Sequence, residues 1–145
     1  MHDVTVRRAM REDNDAVAAL AGELGYATTP EEMQPRLDEL LIADTEVVFV
    51  AVDGGAVIGW VQAGVTMSLE SGDFAEIRGL VVAETHRSRG AGARLVTAAE
   101  EWAASRGLVR IRVRSNVIRE RTHRFYERLG YAIRKSQKAF EKAIG

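Results

Sequence analysis

The stretch EIRGLVVAETHRSRGAGARLVTAAEEWAASRG, residues 76–107, decides the fold of this chain. It opens as an apolar strand, and it ends as a helix whose apolar side chains Leu95, Val96, Ala99, Trp102 and Ala103 recur at helical spacing before Gly107 stops it. Between the two, Gly90 and Gly92 stand among Arg87, Arg89 and Arg94. A strand that turns sharply into a helix leaves main-chain N–H groups without helical partners. The positive end of the helix dipole points them at one spot, which suits an anion, most often a phosphate.

Upstream, VTVRRAM alternates as a first strand, and EDNDAVAALAGELGY carries Val17, Leu20, Ala21 and Leu24 at helical spacing. TTPEEMQPRLDELLIA opens a second helix, with Thr29 as N-cap, Pro30 in the first turn and Glu32 completing a capping box; Pro35 is expected to disturb its start. Two strands joined through Asp53-Gly54-Gly55 form a hairpin, and after LESGD a further strand, Ala75 to Ala83, leads into the glycine turn. Downstream, LVRIRVRS alternates Val109, Ile111 and Val113 with Arg110, Arg112 and Arg114, which predicts one buried face and one arginine ladder. SNVIRERTHRFYERLG reads as an amphipathic helix with Ile118, Phe125 and Leu129 inward and Gly130 at its end, and YAIRKSQKAFEKAI reads as a terminal strand. The order βααβββαβαβ describes one α/β domain with a mixed sheet, residues 1–145.

The 145 residues include no cysteine, which excludes disulfide frameworks, thiol nucleophiles and zinc-cysteine sites. His2, His86 and His123 share no ligand spacing, so no metal is expected. The start lacks the apolar core of a signal peptide and VVFVAV is too short to span a bilayer, so the expectation is a soluble, cytoplasmic protein without a membrane partner. A net charge of −1 argues against nucleic-acid binding, yet the charge is uneven. Residues 1–84 hold 5 basic against 16 acidic side chains, a balance of −11, and residues 85–145 hold 15 against 5, a balance of +10. One account is chance variation among solvated faces. The other is a basic half for a polyanion and an acidic half for a cation.

The glycine turn has several readings. A Walker A loop fails, because Ala93-Arg94 stand where Lys and Ser or Thr are required. A dinucleotide fingerprint meets Leu95 where its third glycine belongs. A plain structural turn stays open. Arg87-x-x-Gly90-x-Gly92, between EIRGLVV and ARLVTAAEEWAASRG, resembles the acetyl-CoA-binding motif of the GNAT superfamily of N-acetyltransferases, R/Q-x-x-G-x-G/A. SNVIRERTHRFYERLGY resembles that family's next motif, and the element string then covers essentially the whole chain. One departure is Glu84, where the family often has proline.

The resemblance implies a mixed, mostly antiparallel sheet splayed between the fourth and fifth strands, and acetyl-CoA as co-substrate without a metal. Main-chain groups of Ser88, Arg89, Gly90, Ala91, Gly92 and Ala93, with Arg87, would hold the diphosphate. The pantetheine arm would pair with the fourth strand at Leu80, Val81 and Val82, and Asn116 would cap the last helix, bond the coenzyme arm, or both. Gly79 would suit a bulge that aims N–H groups at the thioester carbonyl, or only relieve crowding. Glu76 would be the general base, or else an ion-pair partner of Arg78 or another arginine. Tyr126 matches the tyrosine that protonates the departing sulfur and touches the coenzyme, while Trp60 and Trp102 are read as core.

Ten acids between Glu12 and Glu46, with Glu70 and Asp73, favour a small cationic amine as acceptor, polyamine-like or, by a loose likeness, aminoglycoside-like. A protein lysine or N-terminal amine is the alternative, a noncatalytic acetyl-CoA sensor the rival of another class, and a homodimer is possible.

Overall fold

A computed structural model describes residues 3–87, 90–114 and 120–145. The strands are β1 (Thr5–Arg8), β2 (Glu46–Asp53), β3 (Ala56–Ser68), β4 (Gly72–Val82) and β5 (Ile111–Val113). The helices are α1 (Asn14–Glu23), α2 (Pro30–Ile42), α3 (Ala91–Ser105) and α4 (Glu120–Arg128), with 3-10 turns at Arg11–Asp13 and Glu84–His86. The chain divides into two compact units, the first ending at Val113 and the second beginning at Arg114.

The first unit is built on a sheet of order β1-β2-β3-β4-β5, antiparallel throughout except for the parallel β4–β5 pair. Gly54 and Gly55, at φ 57° and 85°, make the two-residue turn between β2 and β3, which requires positive φ at both central positions. Thr29 and Glu32 bond each other's main-chain N–H groups and start α2. The helix continues past Pro35, because a proline this near the start forfeits only one bond, to the carbonyl of Glu31.

Alternation along the strands gives the sheet two buried faces. Val48 and Val50 join Trp60 under α1 and α2, against Val17, Leu37, Met33 and Leu40, and the Trp60 indole donates to the Val17 carbonyl at 3.2 Å. α3 covers the other face with the five apolar residues its spacing marks, all buried. Gly59 permits this approach: a Cβ there would lie 2.8 Å from the Val81 carbonyl and 3.3 Å from Leu95 Cδ1. At the end of β1, Arg7 grips the buried Asp13 through two bonds of 2.8 and 3.0 Å, and Asp13 also accepts the N–H of Met10.

Two expectations are corrected. Val109 is not buried; it is 92 % exposed and lies ahead of β5, which spans only three residues. The cause is local, since Leu108 still donates to the carbonyl of Ala103 at 3.1 Å and the chain has not yet left the helix end. The terminal strand is likewise not formed: residues 131–145 hold no regular secondary structure and, past Tyr131, are exposed. Strand propensity alone does not hold a strand, whose main-chain bonds must all be made to a neighbour.

In the second unit α4 ends at Gly130 with φ 94°. Tyr126 is its buried aromatic, packed edge-to-face with Phe125 and Tyr131 at 5.1 and 5.6 Å between ring centres, while Phe125 and Leu129 are half-buried. Ile118 lies outside the described residues.

Candidate active site

The glycine turn sits where the strand–helix reading placed it. Gly90 is the N-cap of α3 at φ 84°, a left-handed conformation that glycine adopts without steric cost, and among the described residues no side chain bonds to the cap. The first intrahelical bond runs from Arg94 N to the Gly90 carbonyl at 3.1 Å, so the N–H groups of Ala91, Gly92 and Ala93 precede it. Ser88, Arg89 and Asn116 lie outside the described residues.

The 3-10 turn that leads to Arg87 is pinned from two sides by residues the sequence did not single out. Glu23 at the end of α1 accepts the N–H of Glu84 at 2.9 Å, and the Asp53 carboxylate lies 3.3 Å from His86 Nε2. Neither contact follows from a motif, because each joins segments far apart in the chain.

β4 supplies the other wall. β5 pairs with it only from Ala75 to Ile77, whereas β4 continues to Val82. Leu80, Val81 and Val82 are therefore paired to β3 on one side, through Val61, Trp60 and Gly59, and among the described residues have no strand on the other. This is the splay. The register also shifts here: Gln62 faces Gly79 and Ala63 faces Ile77, so Arg78 is the extra residue of a bulge. Gly79 is bulge neighbour and space-saver at once, for a Cβ on it would come 2.9 Å from the Trp60 ring.

Glu76 lies one residue before the last described β4–β5 pair, on the α1/α2 face of the sheet. Its Oε1 accepts from Arg78 Nη1 at 3.0 Å and from Thr66 Oγ1 at 3.4 Å. Arg78 also holds Glu46 in a fork, Nε to Oε1 at 2.9 Å and Nη2 to Oε2 at 3.0 Å, and its remaining bonds go to Thr66 Oγ1 and the Val65 carbonyl. The bonds from Glu46 hold the Arg78 proton more tightly than usual. Glu46 also accepts from Gln62 Nε2 at 3.0 Å. It lies over Gly64, where any Cβ would collide with its carboxylate. Glu46 and Gly64 were missed in the sequence, and only their cross-strand pairing, Glu46 opposite Gly64 opposite Glu76, brings them together.

On β5, Arg112 is the register partner of Glu76. Its guanidinium lies 4.0 Å from the centre of the Phe74 ring, and that of Arg110 lies 5.9 Å from the same ring. In the second unit the Tyr126 side chain is 8 % exposed, and burial pushes its phenol up to about 12, so it keeps its proton at neutral pH.

A strand that turns through a glycine N-cap into a helix presents main-chain N–H groups in a way that suits an anionic ligand. The family model described as acetyltransferase (GNAT) family matches residues 10–131. The chain is 31 % identical to an aminoalkylphosphonate N-acetyltransferase of Salmonella typhimurium, over 96 % of this chain and 90 % of the relative. It is 25 % identical to an aminoglycoside N(6')-acetyltransferase type 1 of Serratia marcescens, over 90 % and 93 % respectively. Among solved structures, the aminoglycoside N-acetyltransferase AAC(6')-Iy in complex with CoA superposes with a TM-score of 0.90 at 18 % identity, covering 99 % of this chain and 97 % of the other. This chain belongs to the GNAT family, as a GNAT N-acetyltransferase with that family's α+β fold. Among the described residues no helix is long and apolar enough to cross a membrane.

Proposed function

We propose that this enzyme transfers the acetyl group of acetyl-CoA to a primary amine of a small molecule, within one catalytic domain. The observation that carries this reading is Glu76 one residue before the last described β4–β5 pair, with the glycine-capped start of α3 beyond the end of β4. The family match running from residue 10 to 131, across the boundary between the two units, supports the single domain. The relatives named for an aminoalkylphosphonate and an aminoglycoside support a small amine as acceptor.

Acetyl-CoA supplies an activated acyl carbon and a thiol leaving group. The N–H groups of Ala91, Gly92 and Ala93, with Arg87, hold the diphosphate, and the free edge of β4 at Leu80 to Val82 pairs with the pantetheine amides. The N–H groups at the Arg78–Gly79 bulge face the carbonyl oxygen that gains charge during attack. The amine must be neutral to attack, so Glu76 takes its proton directly or through water, with Arg78 and Thr66 fixing the carboxylate. The amine nitrogen bonds to the acyl carbon, the carbon–sulfur bond breaks, the Tyr126 hydroxyl gives its proton to sulfur, and the second proton shed by the new amide nitrogen restores the phenol through water. Ile133, Phe140 and Ile144 are exposed in the tail, which favours a homodimer in which a second copy covers them.

The test is acetyl-CoA consumption over a panel of polyamines, aminoglycosides, aminoalkylphosphonates, amino acids and peptides, with Glu76→Gln beside the parent. Turnover of a small amine, reduced at least tenfold in the variant, is expected; turnover of peptides alone would refute the small-molecule reading. The native mass, twice 15.9 kDa for a dimer, checks the assembly.

A further inference from the structure

Glu46 stands on β2, two strands away from Glu76 on β4, yet one guanidinium joins their carboxylates. Strands two apart are separated by about 10 Å, so neither carboxylate acts on the other except through what lies between them. The register Glu46–Gly64–Glu76 puts both on one face of the sheet with a glycine in the middle of the row. Because Gly64 has no side chain, the Glu46 carboxylate lies over β3 and meets the Arg78 guanidinium there, while Gln62 Nε2 holds it from the side at 3.0 Å. Glu46 and Glu76 are 14 % and 15 % exposed, so water competes little for these bonds.

Arg78 divides its donors unequally between the two acids. Its Nε and Nη2 form the fork edge that suits a carboxylate, and Glu46 takes that edge at 2.9 and 3.0 Å. Only Nη1 goes to Glu76, on Oε1 at 3.0 Å, and the same nitrogen donates to Thr66 Oγ1 at 3.3 Å. Thr66 in turn bonds Glu76 Oε1 at 3.4 Å, so arginine and threonine meet the acid at one oxygen. If Glu46 is removed, Nε loses its acceptor in a place with little water, and Glu76, two residues away on the same strand, is the carboxylate within reach. The guanidinium is then drawn into a two-oxygen grip on Glu76, which turns the carboxylate away from Thr66.

From this we infer that Glu46 is a positioning residue of the acetyl transfer: by occupying the fork edge of Arg78 it limits that arginine to a single-oxygen contact with Glu76. The inference rests on the reading of Glu76 as the group that takes the amine proton, and it adds a residue on β2 that touches neither coenzyme nor acceptor. Gly64 belongs to the same device, since a side chain there would stand where the Glu46 carboxylate lies. The cheapest relief of that collision is for the flexible end of Glu46 to swing away, which opens the fork while the strands stay paired.

The experiment is steady-state kinetics on the full-length enzyme, with n-propylamine, 2-aminoethylphosphonate and kanamycin as acceptors. Glu46→Gln, Glu46→Asp, Gly64→Ala, Glu76→Gln and the double variant Glu46→Gln/Glu76→Gln are compared with the parent. Gln at position 46 keeps the shape and an oxygen for Gln62 but loses the charged fork, whereas Ala at position 64 displaces the carboxylate and leaves every charge in place. Each should lower kcat about tenfold, with the KM for acetyl-CoA and for the acceptor within about twofold. Glu46→Asp keeps a carboxylate and should be faster than Glu46→Gln. In the Glu76→Gln background Glu46→Gln should cost less than about twofold more, because the group it positions is gone. An equal fractional loss in both backgrounds marks a structural role and overturns the inference. So does a raised acceptor KM at normal kcat, which would put Glu46 against the amine itself. Normal turnover of Glu46→Gln beside a slow Glu76→Gln overturns the inference and leaves Glu76 as the base. A Glu76→Gln variant as fast as the parent, or acetylation of none of the three amines while acetyl-CoA binds, removes both.

Discussion

Gly79→Ala is the substitution that most directly couples the sheet to the chemistry. The new methyl would sit 2.9 Å from Cζ3 of Trp60, closer than real methyl groups come, and 3.1 Å from Cη2, a tight contact. Trp60 cannot yield freely, because its indole donates to the Val17 carbonyl and its ring packs in the α1/α2 core. Overpacking of this kind costs about 1–3 kcal/mol, and loss of the indole bond about 1 kcal/mol more, so about 2–4 kcal/mol is expected in sum. For a chain of this length that corresponds to a fall in Tm of about 5–12 °C. If β4 moves instead of the ring, the bulge N–H groups leave the aim at the thioester proposed for them, and kcat should drop about 10–100-fold. Thermal melting and steady-state turnover read the two effects separately. A variant that melts within about 2 °C of the parent and turns over normally would refute both the packing and the catalytic account of this glycine.

Other expectations are equally direct. Tyr126→Phe removes the proposed proton donor but keeps the buried ring, so kcat should fall about 100-fold with the KM for acetyl-CoA nearly unchanged, and equal turnover would remove Tyr126 as the acid. Gly90→Glu forces a side chain into the left-handed region, at about 1–2 kcal/mol, and brings a negative charge to the diphosphate; calorimetry should show no acetyl-CoA binding. Asp13 titrates below the ordinary carboxylate range, chiefly through the hydrogen bonds of Arg7, with the Met10 N–H assisting against burial. Its contribution to stability is therefore complete above the unfolded carboxylate value and lost as pH falls through the lower folded one. Asp13→Asn should flatten that acid-side slope in denaturant titrations and cost about 1–3 kcal/mol at neutral pH, discounted because Arg7 is partly in water.

Much of the first unit could be read from local chemistry. The Thr29–Glu32 box, the Asp53-Gly54-Gly55 turn and the apolar stripe of α3 are signals carried by neighbours in the chain, and the structure forms each of them. Val109 misled because alternation continues through residues that still belong to a helix end. The tail after Tyr131 misled because its pattern describes a strand but names no partner. Within the site, the glycine turn and Glu76 lie on contiguous motifs, whereas the Glu46–Arg78 fork and the Asp53–His86 contact depend on pairings 32 and 33 residues apart. Cross-strand register creates such pairs, and a list of residues in order does not contain it.

The coenzyme site proposed above is built almost wholly from peptide amides: those at the start of α3 and along the far half of β4. An amide is present whatever side chain it bears, provided glycine remains where the chain must bend. On that proposal, divergence can rewrite most letters of this region without dislodging the acyl donor, while changes near Glu76 alter which nucleophile is welcomed. A scaffold so divided keeps its reagent constant and leaves its clientele free to drift, in keeping with relatives 25 to 31 % identical that are named for quite different amines.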